Sequence, residues 1–195
     1  MRSGNEPALY VKKEGKSDFI IICLYVDDII YTSSSNSLLD KFKSQMMSEF
    51  EMSDMGLLHY FLDLEVYQVE DGIFISQRKY AKDIMSRFGM LNCKHAATPM
   101  NINEKLQHED GAEMIDVRRF RSLVVGLIYL THTRPDIAFP VGIISRFMQH
   151  PSKVHYGAAK RVLRYIAGTM EYGIWYSKSS NFKLYGFTIV IVQDH

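Results

Sequence analysis

Two adjacent carboxylates, Asp27 and Asp28, are the residues of this chain best suited to chemistry. They follow an apolar run at residues 19–26, and a second apolar run at residues 29–31 comes directly after them. This order of strand, two-residue turn and strand predicts a β-hairpin with Asp27 and Asp28 at its tip. Two such carboxylates repel by roughly 4 kcal/mol at ~4 Å and an effective dielectric near 20. A hard divalent cation would use that charge, whereas a solvated turn would tolerate it.

Composition limits the classes of protein to which the chain can belong. It has 195 residues, 47% of them hydrophobic, and a formal net charge of +1. This length allows one large or two small domains with a packed core. The net charge gives no global signature of nucleic-acid binding, so any such site must come from local clustering.

The cysteines, the histidines and the apolar runs suggest where the protein is found. Cys23 and Cys93 are far apart, and the seven histidines are scattered. We therefore expect a reduced intracellular compartment, cytoplasmic or nuclear, and no zinc site. No apolar run reaches ~18 residues and the N-terminus has no apolar signal-peptide core, so we expect no membrane span. No motif indicates a small-molecule cofactor.

The first 89 residues are predicted to surround the hairpin with further strands and helices. Residues 60–69 and 73–75 alternate as a second hairpin. Ser76 is expected to cap a short helix that Gly89 closes. Apolar residues at helical spacing also predict a helix that ends about Glu49; they are Leu38, Leu39, Phe42, Met46 and Phe50. Residues 1–89 are thus predicted to be an α+β domain.

A more helical pattern follows. Residues 90–115 show little periodicity and are interpreted as a connector. Residues 116–170 are mainly helical, and residues 171–195 are strand-like. The helices predicted there are residues 120–131, 137–148 and 152–168.

The last of these helices carries a basic face. Lys153, Lys160, Arg161 and Arg164 lie together opposite its apolar residues. Such a face would fit the phosphate backbone of a nucleic acid. The alternative interpretation is an ordinary solvated face.

Seven short motifs, each weak alone, occur in one order along the chain. They are residues 24–29, 52–56, 60–66, 98–100, 129–131, 133–137 and 159–169. As an ordered set they resemble the reverse transcriptase of copia-type long-terminal-repeat retrotransposons, which is normally part of a Gag-Pol polyprotein. The resemblance extends over roughly residues 7–187.

The resemblance implies a fold shaped like a right hand, with fingers, palm and thumb, followed by a ribonuclease H domain. Residues 1–89 would be a partial palm, and residues 116–170 the thumb or connection. Residues 171–195 would be a remnant at the start of a truncated ribonuclease H domain. The implied chemistry is nucleotidyl transfer on an RNA template and a DNA primer. Two Mg²⁺ ions ~3.5–4 Å apart would activate the primer hydroxyl and stabilise the departing pyrophosphate.

The same resemblance assigns roles to individual residues. Asp27 and Asp28 would be the catalytic ligands of Mg²⁺, and Tyr25 would lie beside the template–primer. The residues expected to contact nucleic acid on the basic face are Lys160, Arg161 and Arg164. In the intact family these activities belong to a cytoplasmic virus-like particle or to the nucleus.

Several positions depart from the family pattern. The chain begins after the strand that carries the third catalytic carboxylate, so we expect it to be inactive alone. Asp63 stands where glycine is usual, and residues 125–126 read Val-Gly where Gly-Ser is usual. Pro140 falls inside a predicted helix, at a cost of ~3 kcal/mol unless the helix begins close before it. Residues 188–195 are interpreted as a one-base frameshift that removed the leading ribonuclease H aspartate.

Three functions therefore remain open from the sequence. The chain is a reverse transcriptase fragment that is inactive alone, a non-catalytic module that binds RNA or an RNA–DNA hybrid, or a decayed element with no selected role. Salt-dependent binding would separate the second from the others.

Overall fold

A computed structural model describes residues 4, 6–15, 17–101 and 105–178. The chain divides into two compact units between Leu58 and His59. The domain boundaries predicted from the sequence, at residues 89 and 115, stay predictions. The mixture of helices and antiparallel strands agrees with the predicted α+β class. The frameshift proposed for residues 188–195 lies outside the described residues.

The first unit is a three-stranded antiparallel sheet with one helix. Its order is β1-β2-β3, and the helix ends at Glu49 as predicted. Ile20 and Leu38 are the buried apolar side chains of its described part. The elements are β1 (Leu9–Glu14), β2 (Asp18–Tyr25), β3 (Asp28–Ser33) and α1 (Asn36–Glu49).

The second unit opens with an antiparallel sheet of order β4-β5-β6-β7. The single strand predicted at residues 60–69 was wrong, because Leu62 and Asp63 break it with φ values of 45° and 60°. Positive φ at both turn residues is the pattern of a type I′ turn. The strands are β4 (Tyr60–Phe61), β5 (Leu64–Val69), β6 (Gly72–Ser76) and β7 (Ile174–Ser177).

Two glycines allow β6 and β7 to approach closely. A Cβ at Gly72 would lie 2.3 Å from the carbonyl oxygen of Tyr176, and one at Gly173 would lie 2.3 Å from that of Ile75. No side chain fits at such distances. The strand predicted about residues 172–176 is therefore present, and it completes the sheet of the second unit.

Four α-helices and a short 3₁₀ helix form the rest of the described second unit. Gln77, rather than the predicted Ser76, precedes the first of them. Pro140 occupies the first turn of its helix, where its missing N–H removes no intrahelical bond. The elements are α2 (Arg78–Arg87), α3 (Val117–Leu130), the 3₁₀ helix (Pro135–Ile137), α4 (Ala138–Ser145) and α5 (Lys153–Ala167).

These helices bury one continuous apolar core. Phe120, Leu123 and Leu127 of α3 have no exposed surface. Gly126 is buried against Ile84, so the Val-Gly pair at residues 125–126 turns its small residue inward and leaves Val125 exposed. None of the helices in the described part of the chain has both the length and the apolar character that a bilayer span requires.

Candidate functional site

The β2–β3 hairpin turns one residue earlier than the sequence suggested. Tyr25 pairs with Asp28, so Val26 and Asp27 are the two turn residues and Asp28 is the first residue of β3. The prediction of Asp27 and Asp28 together at the tip was wrong in this detail. Both carboxylates are nevertheless exposed and adjacent at one end of the hairpin.

Val26 adopts a backbone conformation that β-branched residues avoid. Its φ is 52°, and its side chain is 88% exposed. Positive φ at the first turn residue alone is the type II′ pattern, in which glycine is preferred. Strain of this kind costs about 1–3 kcal/mol and persists where the surroundings impose it. The two strands thus hold the neighbouring Asp27 in a fixed, strained turn.

The faces of this sheet differ. Residues from the sheet and from α1 line an apolar cleft of about 200 Å³; they are Tyr10, Ile22, Leu24, Ile29, Phe42 and Met46. Because side chains alternate along a strand, Tyr25 and Asp28 lie on the opposite face, away from α1. As a directly opposed pair they share that face at the end of the hairpin. The geometry brings together three of the predicted site residues, Tyr25, Asp27 and Asp28.

The donor set is suited to a hard cation but small. Mg²⁺ is usually held by one or two carboxylates together with waters and substrate phosphates, so Asp27 and Asp28 fit the ion in kind. Within the described residues, no group of three or more His, Cys, Asp or Glu side chains could hold a metal ion.

Asp54 joins three parts of the first unit, a role that its motif did not reveal. Its carboxylate accepts from the Tyr31 hydroxyl at 2.9 Å and from the Gly56 N–H at 3.0 Å, and it pairs with Lys43 Nζ at 2.8 Å. The hydrogen bond from Lys43, followed by those from Gly56 and Tyr31, lowers the pKa of Asp54 to about 2. The motif at residues 52–56 therefore anchors its loop to β3 and α1.

Two residues of the predicted basic face bind the connector. The Arg164 Nε donates to the Lys94 carbonyl at 2.7 Å, and the Arg161 Nη2 donates to the Thr98 hydroxyl at 3.0 Å. The N–H of Ala96 also donates to the Arg164 carbonyl at 3.1 Å. Residues 94–98 of the predicted connector thus run along α5. These bonds give Arg161 and Arg164 an intramolecular role besides the predicted contact with nucleic acid.

The other two basic residues of this face differ from each other. Lys153 pairs with Glu113 at 2.5 Å. Lys160 instead lies over the ring of Tyr156, 4.6 Å from its centroid. Arg119 of α3 approaches the same ring at 5.9 Å. Arg119 and Tyr156 are residues that helical periodicity on α5 could not have found, since one belongs to another helix and the other is uncharged.

Arg134 connects two further motifs inside the second unit. It is 4% exposed and makes a bidentate pair with Asp136, with N–O distances of 2.9 and 2.7 Å. Its guanidinium also donates to the carbonyl and hydroxyl oxygens of Thr169. Burial alone would raise the pKa of Asp136, but the hydrogen bonds and charge of Arg134 outweigh it and lower that pKa.

Ser152, His155 and Asp110 form a capping arrangement rather than a nucleophilic triad. The Ser152 hydroxyl donates to Asp110 at 2.5 Å. The His155 Nδ1 accepts from the Ser152 backbone N–H at 3.0 Å, and its Nε2 faces the Gln107 carbonyl at 2.9 Å. An activated serine would donate to the histidine. Here the hydroxyl donates to the carboxylate and lies 3.1 Å from His155 Nδ1, which already accepts from the Ser152 backbone N–H. The imidazole thereby completes a capping box at the start of α5.

Comparison with known proteins identifies the family. A family model described as reverse transcriptase (RNA-dependent DNA polymerase) matches residues 1–102. The retrovirus-related Pol polyprotein from transposon RE1 of Arabidopsis thaliana is 36% identical over 188 residues, which are 96% of this chain and 13% of the relative. The corresponding polyprotein from transposon TNT 1-94 of Nicotiana tabacum is 34% identical over 179 residues, 87% of this chain and 13% of the relative.

A shorter relative is matched over most of its own length. An uncharacterized mitochondrial protein from Arabidopsis thaliana is 42% identical over 167 residues, 85% of this chain and 69% of the relative. No solved structure matches. The chain thus spans about an eighth of the Pol polyproteins that it resembles. It belongs to the reverse transcriptase family, and its relatives are the Pol polyproteins of copia-type retrotransposons.

Proposed function

We propose that Asp27 and Asp28 contribute the metal-binding carboxylates of an RNA-directed DNA polymerase. The observation that carries this proposal is their exposure, side by side, at the end of a strained hairpin in a chain of the reverse transcriptase family. Two Mg²⁺ ions bound there would activate the primer 3′-hydroxyl and offset the charge of the departing pyrophosphate.

The hairpin's own residues have distinct parts in this proposal. Asp27, in the turn, would be the more projecting ligand, and Asp28 would be its partner on the first residue of β3. Tyr25, which is 49% exposed on the same face as Asp28, would lie along an RNA template and DNA primer. Aromatic rings stack readily on bases, which supports that position for Tyr25.

We further propose that these two carboxylates alone do not extend a primer. Within the described residues they lack the third ligand that a two-metal site requires. The test is primer extension by the purified chain on a homopolymeric RNA template with Mg²⁺ or Mn²⁺. We expect no extension. Extension by the chain that disappears in Asp27→Asn would overturn this part of the proposal.

Metal binding can be tested separately from activity. Electron paramagnetic resonance of the free ion measures Mn²⁺ binding by the chain. We expect weak binding, and a several-fold loss of affinity in Asp27→Asn and in Asp28→Asn. Asp40→Asn is the matched control, because Asp40 is an exposed carboxylate on α1 rather than on the hairpin. Equal affinities in all four proteins would contradict the assignment of ligands.

Binding of RNA or an RNA–DNA hybrid without catalysis is the second candidate function. Lys160 and Arg119, which have no carboxylate partner among the described residues, favour it. Binding whose logarithm falls with the logarithm of salt concentration would support it. Its absence would favour a decayed product with no selected role. Either function would operate in the cytoplasm or the nucleus, which localisation of a tagged chain would test.

A further inference from the structure

Two cations from different helices converge on one aromatic ring in the second unit. The Arg119 Cζ lies 5.9 Å from the centroid of Tyr156, and the Lys160 Nζ lies 4.6 Å from it. A ring attracts cations through its quadrupole, so both side chains are favoured beside Tyr156. We call Arg119, Tyr156 and Lys160 the α3–α5 cation cluster.

The charges of the α3–α5 cation cluster are not neutralised by the protein. In the described part of the chain, neither Arg119 nor Lys160 lies within ion-pair distance of a carboxylate. Two other basic residues of the second unit do have acidic partners: Lys153 pairs with Glu113, and Arg134 pairs with Asp136. Two like charges held on one ring repel each other, so an anion placed between them would be favoured.

The cluster also separates two kinds of residue on the basic face of α5. Arg161 and Arg164 use their guanidinium donors on the connector, at Thr98 and Lys94. Lys160 donates to no protein oxygen in the described residues, and its ring partner leaves its hydrogen-bond donors available. The basic face predicted from the sequence thus contains two arginines that bond the connector and a lysine whose donors can still bind a ligand.

We propose that Arg119 and Lys160, held by Tyr156, contact phosphates of an RNA–DNA hybrid. This inference rests on the proposed function, because membership of the family is what favours nucleic acid over another polyanion. Each phosphate that either cation contacts would release condensed counterions, which favours binding. Arg161 and Arg164 would then act mainly by holding the connector against α5.

The experiment measures salt-dependent binding by the full chain. Fluorescence anisotropy of a labelled RNA–DNA hybrid is recorded between about 50 and 200 mM salt. We expect a linear log–log plot for the unaltered chain, and a slope smaller by about 0.9 in Arg119→Gln and in Lys160→Gln. The double variant should lose about twice that. Arg78→Gln is the matched control, because it removes one positive charge from a pair with Glu171.

Variants of Tyr156 separate the role of the ring from that of its hydroxyl. The Tyr156 hydroxyl is buried without a hydrogen-bond partner, so Tyr156→Phe should bind the hybrid like the unaltered chain. Tyr156→Leu removes the surface that positions both cations and should weaken binding several-fold. Circular dichroism and thermal melting of each variant show whether it is folded.

The outcomes distinguish this inference from the function on which it rests. If the unaltered chain shows no salt-dependent binding, the proposed nucleic-acid function fails. If it binds, but both variants keep its slope or the Arg78→Gln control loses as much, the α3–α5 cation cluster is not the contact.

Discussion

The two units bury their apolar residues very differently. In the described part of the first unit, Ile20 and Leu38 are the buried apolar side chains. The helices of the second unit bury a continuous cluster of 18 apolar residues, with Phe120 and Leu127 entirely enclosed. The candidate metal ligands therefore lie on the unit with the smaller core. The proposed metal binding would therefore depend on a hairpin whose conformation comes from strand pairing more than from burial.

The motifs of the two units differ in the same way. In the first, Asp27 and Asp28 are exposed. In the second, motif residues bond to one another: Thr98 accepts from Arg161, and Thr169 accepts from Arg134. These four second-unit residues are therefore engaged in intramolecular bonds, whereas the two hairpin carboxylates face solvent.

The largest expected difference between the units is the loss of unfolding free energy when a phenylalanine is replaced by alanine. Phe120→Ala removes a fully buried ring and should cost about 3–5 kcal/mol of unfolding free energy. Phe42→Ala removes a half-buried ring that contacts Tyr31, and should cost about 1.5 kcal/mol because less apolar area is lost. Hydrogen exchange assigned to each unit measures both values. Equal costs would show that the first unit is as well packed as the second.

Arg134→Ala should lower the unfolding free energy of the second unit by nearly as much as Phe120→Ala, without affecting the first unit. It leaves Asp136 partly buried without its bidentate partner and leaves Thr169 without its donor. Breaking a buried pair by removing one partner costs about 3–5 kcal/mol. Arg78→Ala breaks an exposed pair with Glu171 and should cost less than about 1 kcal/mol. Chemical denaturation of both variants gives the comparison, and similar midpoints would contradict it.

Glycine substitutions in the strained turns should raise stability, whereas the substitutions above lower it. Val26→Gly removes a left-handed β-branched residue and should stabilise the first unit by about 0.5–1 kcal/mol, after the entropy of glycine is subtracted. Val26→Ala keeps the Cβ and serves as the control without that gain. A lower melting temperature for Val26→Gly than for Val26→Ala would disprove the assignment of strain.

Asp63→Gly should give a smaller gain, together with a spectroscopic change. Aspartate tolerates positive φ better than valine does, and its carboxylate accepts from the Tyr60 hydroxyl at 2.6 Å. That hydrogen bond raises the pKa of Tyr60 to about 12. In Asp63→Gly, Tyr60 should therefore ionise at lower pH, which ultraviolet absorbance of the phenolate would detect. An unchanged titration curve would argue against the bond.

The smallest effect is a dependence of the first unit on acid pH. The pKa of Asp54 is lowered from 3.8 to about 2 in the folded protein. A lowered pKa gives stability that is present above pH 3.8 and is lost as pH falls towards 2. The melting temperature of the first unit should thus fall as the pH is lowered over that interval, and it should fall less in Asp54→Asn. A parallel decline in both proteins would assign the effect to other groups.

Local chemistry explains what the sequence predicted well. The end of α1 at Glu49 and the start of α5 after Ser152 follow from periodicity and capping, which are properties of neighbouring residues. The turn at Leu62 and Asp63 was missed because the alternation of residues 60–69 continues across it. The unusual aspartate at a glycine position was the available signal, since positive φ favours glycine there.

Longer-range contacts were beyond local reasoning. Arg161 and Arg164 bond residues 63 and 70 positions away, and helical spacing on α5 contains no information about such partners. The hairpin turn was predicted one residue too late, because aspartate suits either turn position. Strand register settles it, and register depends on both strands together.

The two glycines of the β6–β7 pair can show whether natural selection still acts on the fold of this chain. Gly72 and Gly173 face carbonyl oxygens at distances that exclude any side chain, so substitution at either position would force these strands apart. Related genomic copies under no constraint should accumulate substitutions at these codons as readily as at exposed positions. Copies whose products still have to fold should keep both glycines, even where the β2–β3 hairpin has changed.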